Sequence, residues 1–232
     1  LVVGTKGKPY IAQGSDPSAI SLIQLESDQA CVSKMSMVDM GGYVIYASPD
    51  GLVTVQGQQI QLVTDALLRR AQWQAYNPTT LKAMNYEGTY IASNATKSIV
   101  FDPRAAKNAL STISDTFKAA YNHLETDTLY FVDSTSVKKF GQGSGSYTLT
   151  WKSKPFVSAQ PRNFGWARLD AASYPVTFKL YTDSTLEFTY SVLNSDPFRL
   201  PSASRARSWE FEVSGTASVN SVSIADNVAE LL

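Results

Sequence analysis

One cysteine and one histidine, Cys31 and His123, are all that this 232-residue sequence has of either type. A lone cysteine excludes an internal disulfide, which fits a protein made in a reducing cytoplasm. A structural zinc site takes four His or Cys ligands, and the chain owns two. Net charge is absent too: 20 basic residues balance 20 acidic ones. No global field therefore steers the chain to nucleic acid or to an acidic membrane surface, although local basic patches are still allowed. No apolar run reaches the roughly 18 residues that a membrane span needs, so no membrane contact is expected. The start, Leu1-Val2-Val3-Gly4, lacks the basic region and long apolar stretch of a signal peptide. It reads instead as a strand already under way, and a processed chain or a piece of a longer protein is expected.

Apolar residues are plentiful. They make up 44% of the chain, with 12 Tyr and 4 Trp among them, enough for a real core. The length suits one large or two small domains.

One pattern recurs four times: a short apolar strand, a polar turn, then a second apolar strand. The first copy is Leu1-Val2-Val3 and Pro9-Tyr10-Ile11-Ala12 around residues 4–8. The second is Tyr43-Val44-Ile45-Tyr46 and Leu52-Val53-Thr54-Val55 around Ser48-Pro49-Asp50-Gly51. The third is Thr89-Tyr90-Ile91-Ala92 and Ser98-Ile99-Val100-Phe101 around Asn94-Ala95-Thr96. The fourth is Thr128-Leu129-Tyr130-Phe131-Val132 and Val137-Lys138-Lys139-Phe140 around residues 133–136. β-Branched and aromatic residues pack well on a pleated surface. Gly, Pro, Asp, Asn and Ser tolerate turn dihedrals or bond their own backbone. The hairpins return about every 40–45 residues, close to the roughly 40–50 residues of a propeller blade. Residues 35–39, 81–86 and 116–122 are candidates for further strands of such blades. The expectation is a propeller-like domain, with an incomplete set of blades, over residues 1–143. An ordinary meander or sandwich of hairpins is the alternative. One short helix is predicted over residues 66–76, capped by Thr64-Asp65 and ended by Asn77-Pro78.

The low-complexity run Gly141-Gln142-Gly143-Ser144-Gly145-Ser146 marks a break. After it the chain reads as a compact all-β unit over residues 144–232. Strands are predicted over 147–152, 165–170, 175–181, 186–192, 208–213 and 221–225. Val176, Phe178 and Leu180 alternate with Thr177, Lys179 and Tyr181. Trp209, Phe211 and Val213 alternate with Glu210 and Glu212. Such period-two strands are half buried, as in a small two-sheet sandwich or jelly roll.

No device for catalysis assembles from the residue types present. A Ser-His-Asp arrangement has only His123 as its base, and Asn122, Leu124 and Glu125 beside it form no nucleophile motif. Cys31, between Ala30 and Val32, reads as a small buried residue. Glu210 and Glu212 share a strand face, which any solvated face gives, and does not by itself make a glycosidase pair. Gly141-Gln142-Gly143-Ser144-Gly145 lacks the Lys-Ser/Thr ending of a phosphate loop. Asp50 and Asp133 stand alone in turns, with no calcium loop around them. Asn94-Ala95-Thr96 fits a glycosylation acceptor but reads as a turn. No catalytic, cofactor-binding or metal-binding residue is assigned, and no enzyme is expected. Two features carry a weighed expectation. Arg199, Arg205 and Arg207, with Lys152 and Lys154, form either a partner- or DNA-facing patch or a set of solvated loop charges. Trp151, Trp166 and Trp209 form either a sugar-stacking platform or part of the core.

Three stretches resemble tail structural proteins of tailed bacteriophages. They are Gln29-Ala30-Cys31-Val32-Ser33-Lys34-Met35-Ser36-Met37-Val38-Asp39-Met40 running into Tyr46-Ala47-Ser48-Pro49-Asp50-Gly51-Leu52-Val53; Tyr86-Glu87-Gly88-Thr89-Tyr90-Ile91 with Phe101-Asp102-Pro103; and Trp151-Lys152-Ser153-Lys154 through Phe198-Arg199-Leu200-Pro201 and Trp209-Glu210. Relatives on this resemblance include propeller-bearing nozzle proteins of short-tailed phages, which are longer, and hub proteins that stabilise packaged DNA. The resemblance implies a virion part that oligomerises around a DNA channel. Its partners would be copies of itself and neighbouring tail proteins, with non-specific contact to packaged DNA. It carries over no catalytic residue. A carbohydrate- or receptor-binding tail module is the competing expectation, and a depolymerising tail enzyme is the third.

Overall fold

A computed structural model describes residues 1–105, 109–143, 145–201 and 205–231. The described chain is all-β, built from antiparallel sheets with one short α-helix. It divides into two compact units, Leu1–Gly143 and Ser144–Leu232. Ser144, inside the low-complexity break, lies outside the described residues.

The first unit is a series of meanders. β1 (Val2–Val3), β2 (Tyr10–Gln13) and β3 (Ser21–Gln24) form the first sheet. β4 (Val38–Asp39), β5 (Val44–Ala47), β6 (Leu52–Gln56) and β7 (Gln59–Leu62) form the second. After the helix α1 (Arg70–Gln74), β8 (Lys82–Tyr86), β9 (Thr89–Ser93), β10 (Ser98–Asp102) and β11 (Ala109–Ile113) form the third. β12 (Ala119–His123), β13 (Thr128–Val132) and β14 (Val137–Lys139) form the fourth. Each strand pairs antiparallel with its neighbour in the chain. All four expected hairpins are present, in registers that include Val2↔Ile11, Tyr46↔Val53, Ile91↔Val100 and Phe131↔Lys138.

Successive residues on a strand point to opposite faces, and here both faces are apolar. Ile45 and Ala47 of β5 and Leu52 of β6 share a buried cluster with Tyr90, Ala92, Ile99 and Phe101 of β9 and β10. Tyr46, Val53 and Val55, on the other face of the second sheet, pack with Ile11 and Leu25. Ile91, pointing away from Tyr90 and Ala92, meets Phe117, Leu129 and Phe131. Each of the two middle sheets is therefore covered on both sides. This explains why β5, β9 and β10 read as near-continuous apolar runs, not as alternating ones.

Buried hydroxyls tie the second sheet to the third. The Tyr90 hydroxyl donates to the Ser36 carbonyl at 2.8 Å. The Ser36 hydroxyl donates to the Ser33 carbonyl at 2.7 Å and accepts from the Ala47 amide at 2.9 Å. The Ser33 hydroxyl donates to the Leu81 carbonyl at 2.6 Å. Three turns reuse one device. The side chains of Ser48, Asn94 and Asp133 each accept from the amides two and three residues on. In each turn the first residue's amide also donates to the carbonyl three residues on. Asp133 takes the Lys138 ammonium at 2.8 Å as well. That bond, with those from the Thr135 and Ser136 amides, holds its carboxyl well below the usual carboxylate range.

Two local expectations are corrected. The helix covers Arg70–Gln74, not residues 66–76. The Thr64 hydroxyl accepts from the Leu52 amide and so caps no helix. The Leu67 and Leu68 amides both donate to the Thr64 carbonyl, closing a turn. The helix proper starts where Gln72 Oε1 accepts from the Arg69 amide, and it ends before Asn77, whose φ of 54° is left-handed. Trp73 anchors it, fully buried and donating Nε1 to the Ser48 carbonyl at 2.8 Å. Residues 35–39 are also not one strand. A 3-10 turn at Lys34–Ser36, closed by the Ser36 hydroxyl, precedes the two-residue β4.

The second unit is a two-sheet sandwich. Its strands are β15 (Leu149–Lys152), β16 (Phe156–Arg162), β17 (Trp166–Ala171), β18 (Val176–Thr182), β19 (Thr185–Val192), β20 (Phe198–Arg199), β21 (Ala206–Gly215) and β22 (Val219–Ala225). The larger sheet runs β15–β21–β18–β19, with β16 also on β21. The smaller runs β20–β17–β22. Val176, Phe178 and Leu180 of β18 and Trp209, Phe211 and Val213 of β21 meet Ala167, Leu169 and Ala171 of β17 in one core. The alternation read from the sequence matches this burial.

The buried relay in the first unit gives a direct stability prediction. Tyr90→Phe leaves the buried Ser36 carbonyl without its donor and should cost about 1–3 kcal/mol. Phe101→Ala opens a cavity between the middle sheets and should cost about 3–5 kcal/mol. Tyr121→Phe, at an exposed position, should be neutral. Urea unfolding followed by circular dichroism measures all three.

Candidate binding surface

The reactive residues singled out in the sequence sit apart from one another. His123 ends β12, its Nδ1 3.0 Å from the Thr126 hydroxyl and its ring edge-on to exposed Tyr121. Cys31 packs beside Tyr46 and Val53, its thiol 3.3 Å from the Ser33 carbonyl, and burial pushes the thiol up. A raised thiol pKa lowers the thiolate fraction and so the reactivity. Asp50 accepts from Gln29 at 2.8 Å and pairs with Arg70 at 3.0 Å. Asn94 donates its amide to the Tyr76 carbonyl at 2.7 Å, so its side chain is built into the turn. Among the described residues, no group of three or more His, Cys, Asp or Glu stands together.

Glu210 and Glu212 are occupied by cations on the outer face of the larger sheet. Lys152 reaches Glu210 at 3.2 Å and lies 3.9 Å over the Tyr181 ring. Lys179 reaches Glu212 at 2.9 Å, and Tyr181 donates to the same carboxylate at 3.2 Å. The Lys179 ammonium holds the Glu212 carboxyl below its usual range. Both acids are thus ion-paired members of a strand-face network.

The three tryptophans of the sandwich do not form one platform. Trp209 is buried in the core, edge-on to Phe164 at 5.0 Å, with its Nε1 donating to the Ala206 carbonyl. Trp166 points away from the core, since its neighbour Ala167 points in. Trp151 is paired with Val213 and therefore shares the core-side face of the larger sheet, yet it lies at the margin and is 50% exposed. The cationic residues separate in the same way. Arg199 is paired with Trp166 and stacks over its ring at 5.6 Å, on the outer face of the smaller sheet. Lys152 lies on the outer face of the larger sheet, opposite Glu212. Two outer faces pointing opposite ways carry them, so no single basic patch joins Arg199 to Lys152.

What the structure does bring together is apolar. Leu149, Trp151, Phe211 and Val213 of the larger sheet face Val219 and Val222 of β22 across an open cleft of about 340 Å³. Asn220 and Ser221 are its polar edge. Trp151 and Phe211 rings lie 5.7 Å apart, and Phe156 stacks on Phe211 at 5.9 Å. The sandwich is thus incompletely closed along β15. Sequence alternation alone does not reveal this, because it depends on how far the smaller sheet extends under the larger one.

No protein-family model matches the chain, and no curated protein matches it. Among the described residues, no helix is long and apolar enough to cross a membrane.

Indole exposure provides the check on this geometry. Trp151→Phe should remove most of the acrylamide-quenchable fluorescence. Trp73→Phe and Trp209→Phe should remove mainly the protected component. Stern–Volmer plots of the three variants measure it.

Proposed function

We propose that this chain is a non-enzymatic structural protein of a bacteriophage tail, a virion part that assembles with copies of itself around the DNA channel. The observation that supports the physical half of this reading is the serial stack of meanders. Sheets covered on both faces by their neighbours make a stiff body that grows by repetition. On this reading the four sheets of the first unit are propeller-like blades, and the sandwich that follows supplies contact surface. The phage half rests on the resemblance of the three quoted stretches. Neighbouring tail proteins are the expected partners, and affinity would come from buried apolar area and packing, not from a few reactive groups.

A second reading is favoured by one observation. The cleft with half-exposed Trp151 and polar Asn220 and Ser221 has the make-up of a carbohydrate- or receptor-binding site. A glycan array separates the two: binding that is lost in Trp151→Ala favours the second.

Light scattering and negative-stain electron microscopy of the full chain test the first reading, together with the genes beside the encoding one. Ring-shaped or stacked oligomers, with portal and terminase genes alongside, are expected. A chain that stays monomeric, encoded away from any virion gene, contradicts it.

A further inference from the structure

We infer that copies of this chain join head to tail through the two open edges of the larger sheet in the sandwich, β19 of one copy adding to β15 and β16 of the next. This deepens the assembly reading and rests on it. Three independent features of the sheet agree.

The first is the backbone. Among the described residues, β15 and β16 pair only with β21, and β19 pairs only with β18. Each edge therefore presents a row of amides and carbonyls that a further strand can take. The second is strand direction. β15 and β16 run antiparallel to β21, β21 to β18, and β18 to β19. β19 thus runs opposite to β15 and β16, and a translated copy would continue the antiparallel alternation without reversal.

The third is chemistry. Residues 149–162 hold Lys154, Arg162 and Lys152, the last already paired with Glu210 inside the sheet, and no acid. Residues 183–196 hold Glu187, Asp196 and Asp183, the last turned inward to accept from the Ser208 amide, and no base. Opposite charges therefore favour one edge against the other. Pairing either edge with itself would set like charges together, which disfavours a two-fold contact. Both edges also expose large apolar side chains. Leu149, Trp151, Phe156 and Val157 on one side, and Leu186, Tyr190 and Leu193 on the other, are 40 to 74% exposed. Pro155 and Pro161 lack an amide hydrogen, and the β16–β21 register shifts between Val157 and Arg162, so the regular part of this edge is Leu149–Lys152 with Phe156–Val157. A contact between unlike edges does not consume itself. It generates rings where the rotation closes and filaments where it does not.

The test uses the full chain in two charge-reversed forms. Lys154→Glu with Arg162→Glu makes both edges acidic. Glu187→Lys with Asp196→Lys makes both edges basic. Each form alone should associate at least about tenfold more weakly than the natural sequence in sedimentation velocity at low salt. An equimolar mixture of the two should recover association, because each edge then meets an opposite one. Circular dichroism and thermal melting confirm that both forms fold. Should either misfold, the natural chain alone still decides: its association must weaken as salt rises from 0.05 to 0.5 M, roughly the range over which surface charges become screened. If the natural chain assembles and neither the variants nor salt change it, the edge contact is wrong and assembly proceeds elsewhere. If the natural chain is monomeric at every concentration, the assembly reading falls with it.

Discussion

The first unit depends on one constraint: the strands at the centre of its second and third sheets must bury both of their faces. Ile45 and Tyr46 are neighbours in sequence but belong to different cores, one shared with the third sheet and one with the first. Tyr90 and Ile91 repeat that division one sheet later. Each buried Val, Leu, Ile or Phe contributes about 1.5–3 kcal/mol relative to exposure. Neither middle sheet gathers that from one face alone. A meander taken out of the series would expose a full apolar face to water. Cooperativity between successive sheets follows from this arrangement.

Double-sided burial also sets the polar detail. Where β5 and β9 approach, backbone groups beyond the ladders have no water to bond. The Tyr90, Ser36 and Ser33 hydroxyls satisfy them in sequence, linking Leu81, Ala47 and the turn before β4. Trp73 does the same for the Ser48 carbonyl at the tip of the β5–β6 hairpin. The sandwich follows a different logic. Its core strands are buried on one face, the outer face of the larger sheet carries Lys–Glu pairs, and its cleft and edges leave apolar surface in water. That exposed surface is where association with another molecule gains most.

Much of this architecture is legible in the residues. Ser48-Pro49-Asp50-Gly51, Asn94-Ala95-Thr96 and Asp133 mark turns because their side chains bond the amides that follow, a local effect. Val176-Thr177-Phe178 and Trp209-Glu210-Phe211 mark half-buried strands because period-two alternation is local as well. The features that local pattern does not carry are non-local. The helix is shorter than its capping pattern predicts because Leu52, distant in sequence, claims the Thr64 hydroxyl. β16 carries Pro161 and is largely exposed, so neither composition nor pattern signals it. Its ladder to β21 makes it a strand. β7, Gln59-Ile60-Gln61-Leu62, does alternate, but it is short and polar and stands out only once β6 is beside it. The separation of Trp151, Trp166 and Trp209 likewise depends on which strands pair.

Amide hydrogen exchange on the intact chain tests the central constraint most directly. Burial on both faces requires the slowest-exchanging amides of the first unit to lie in β5, β6, β9 and β10, with β1–β3 and β12–β14 exchanging faster. Slowest exchange in the outer sheets, with rapid exchange in those four strands, would contradict it.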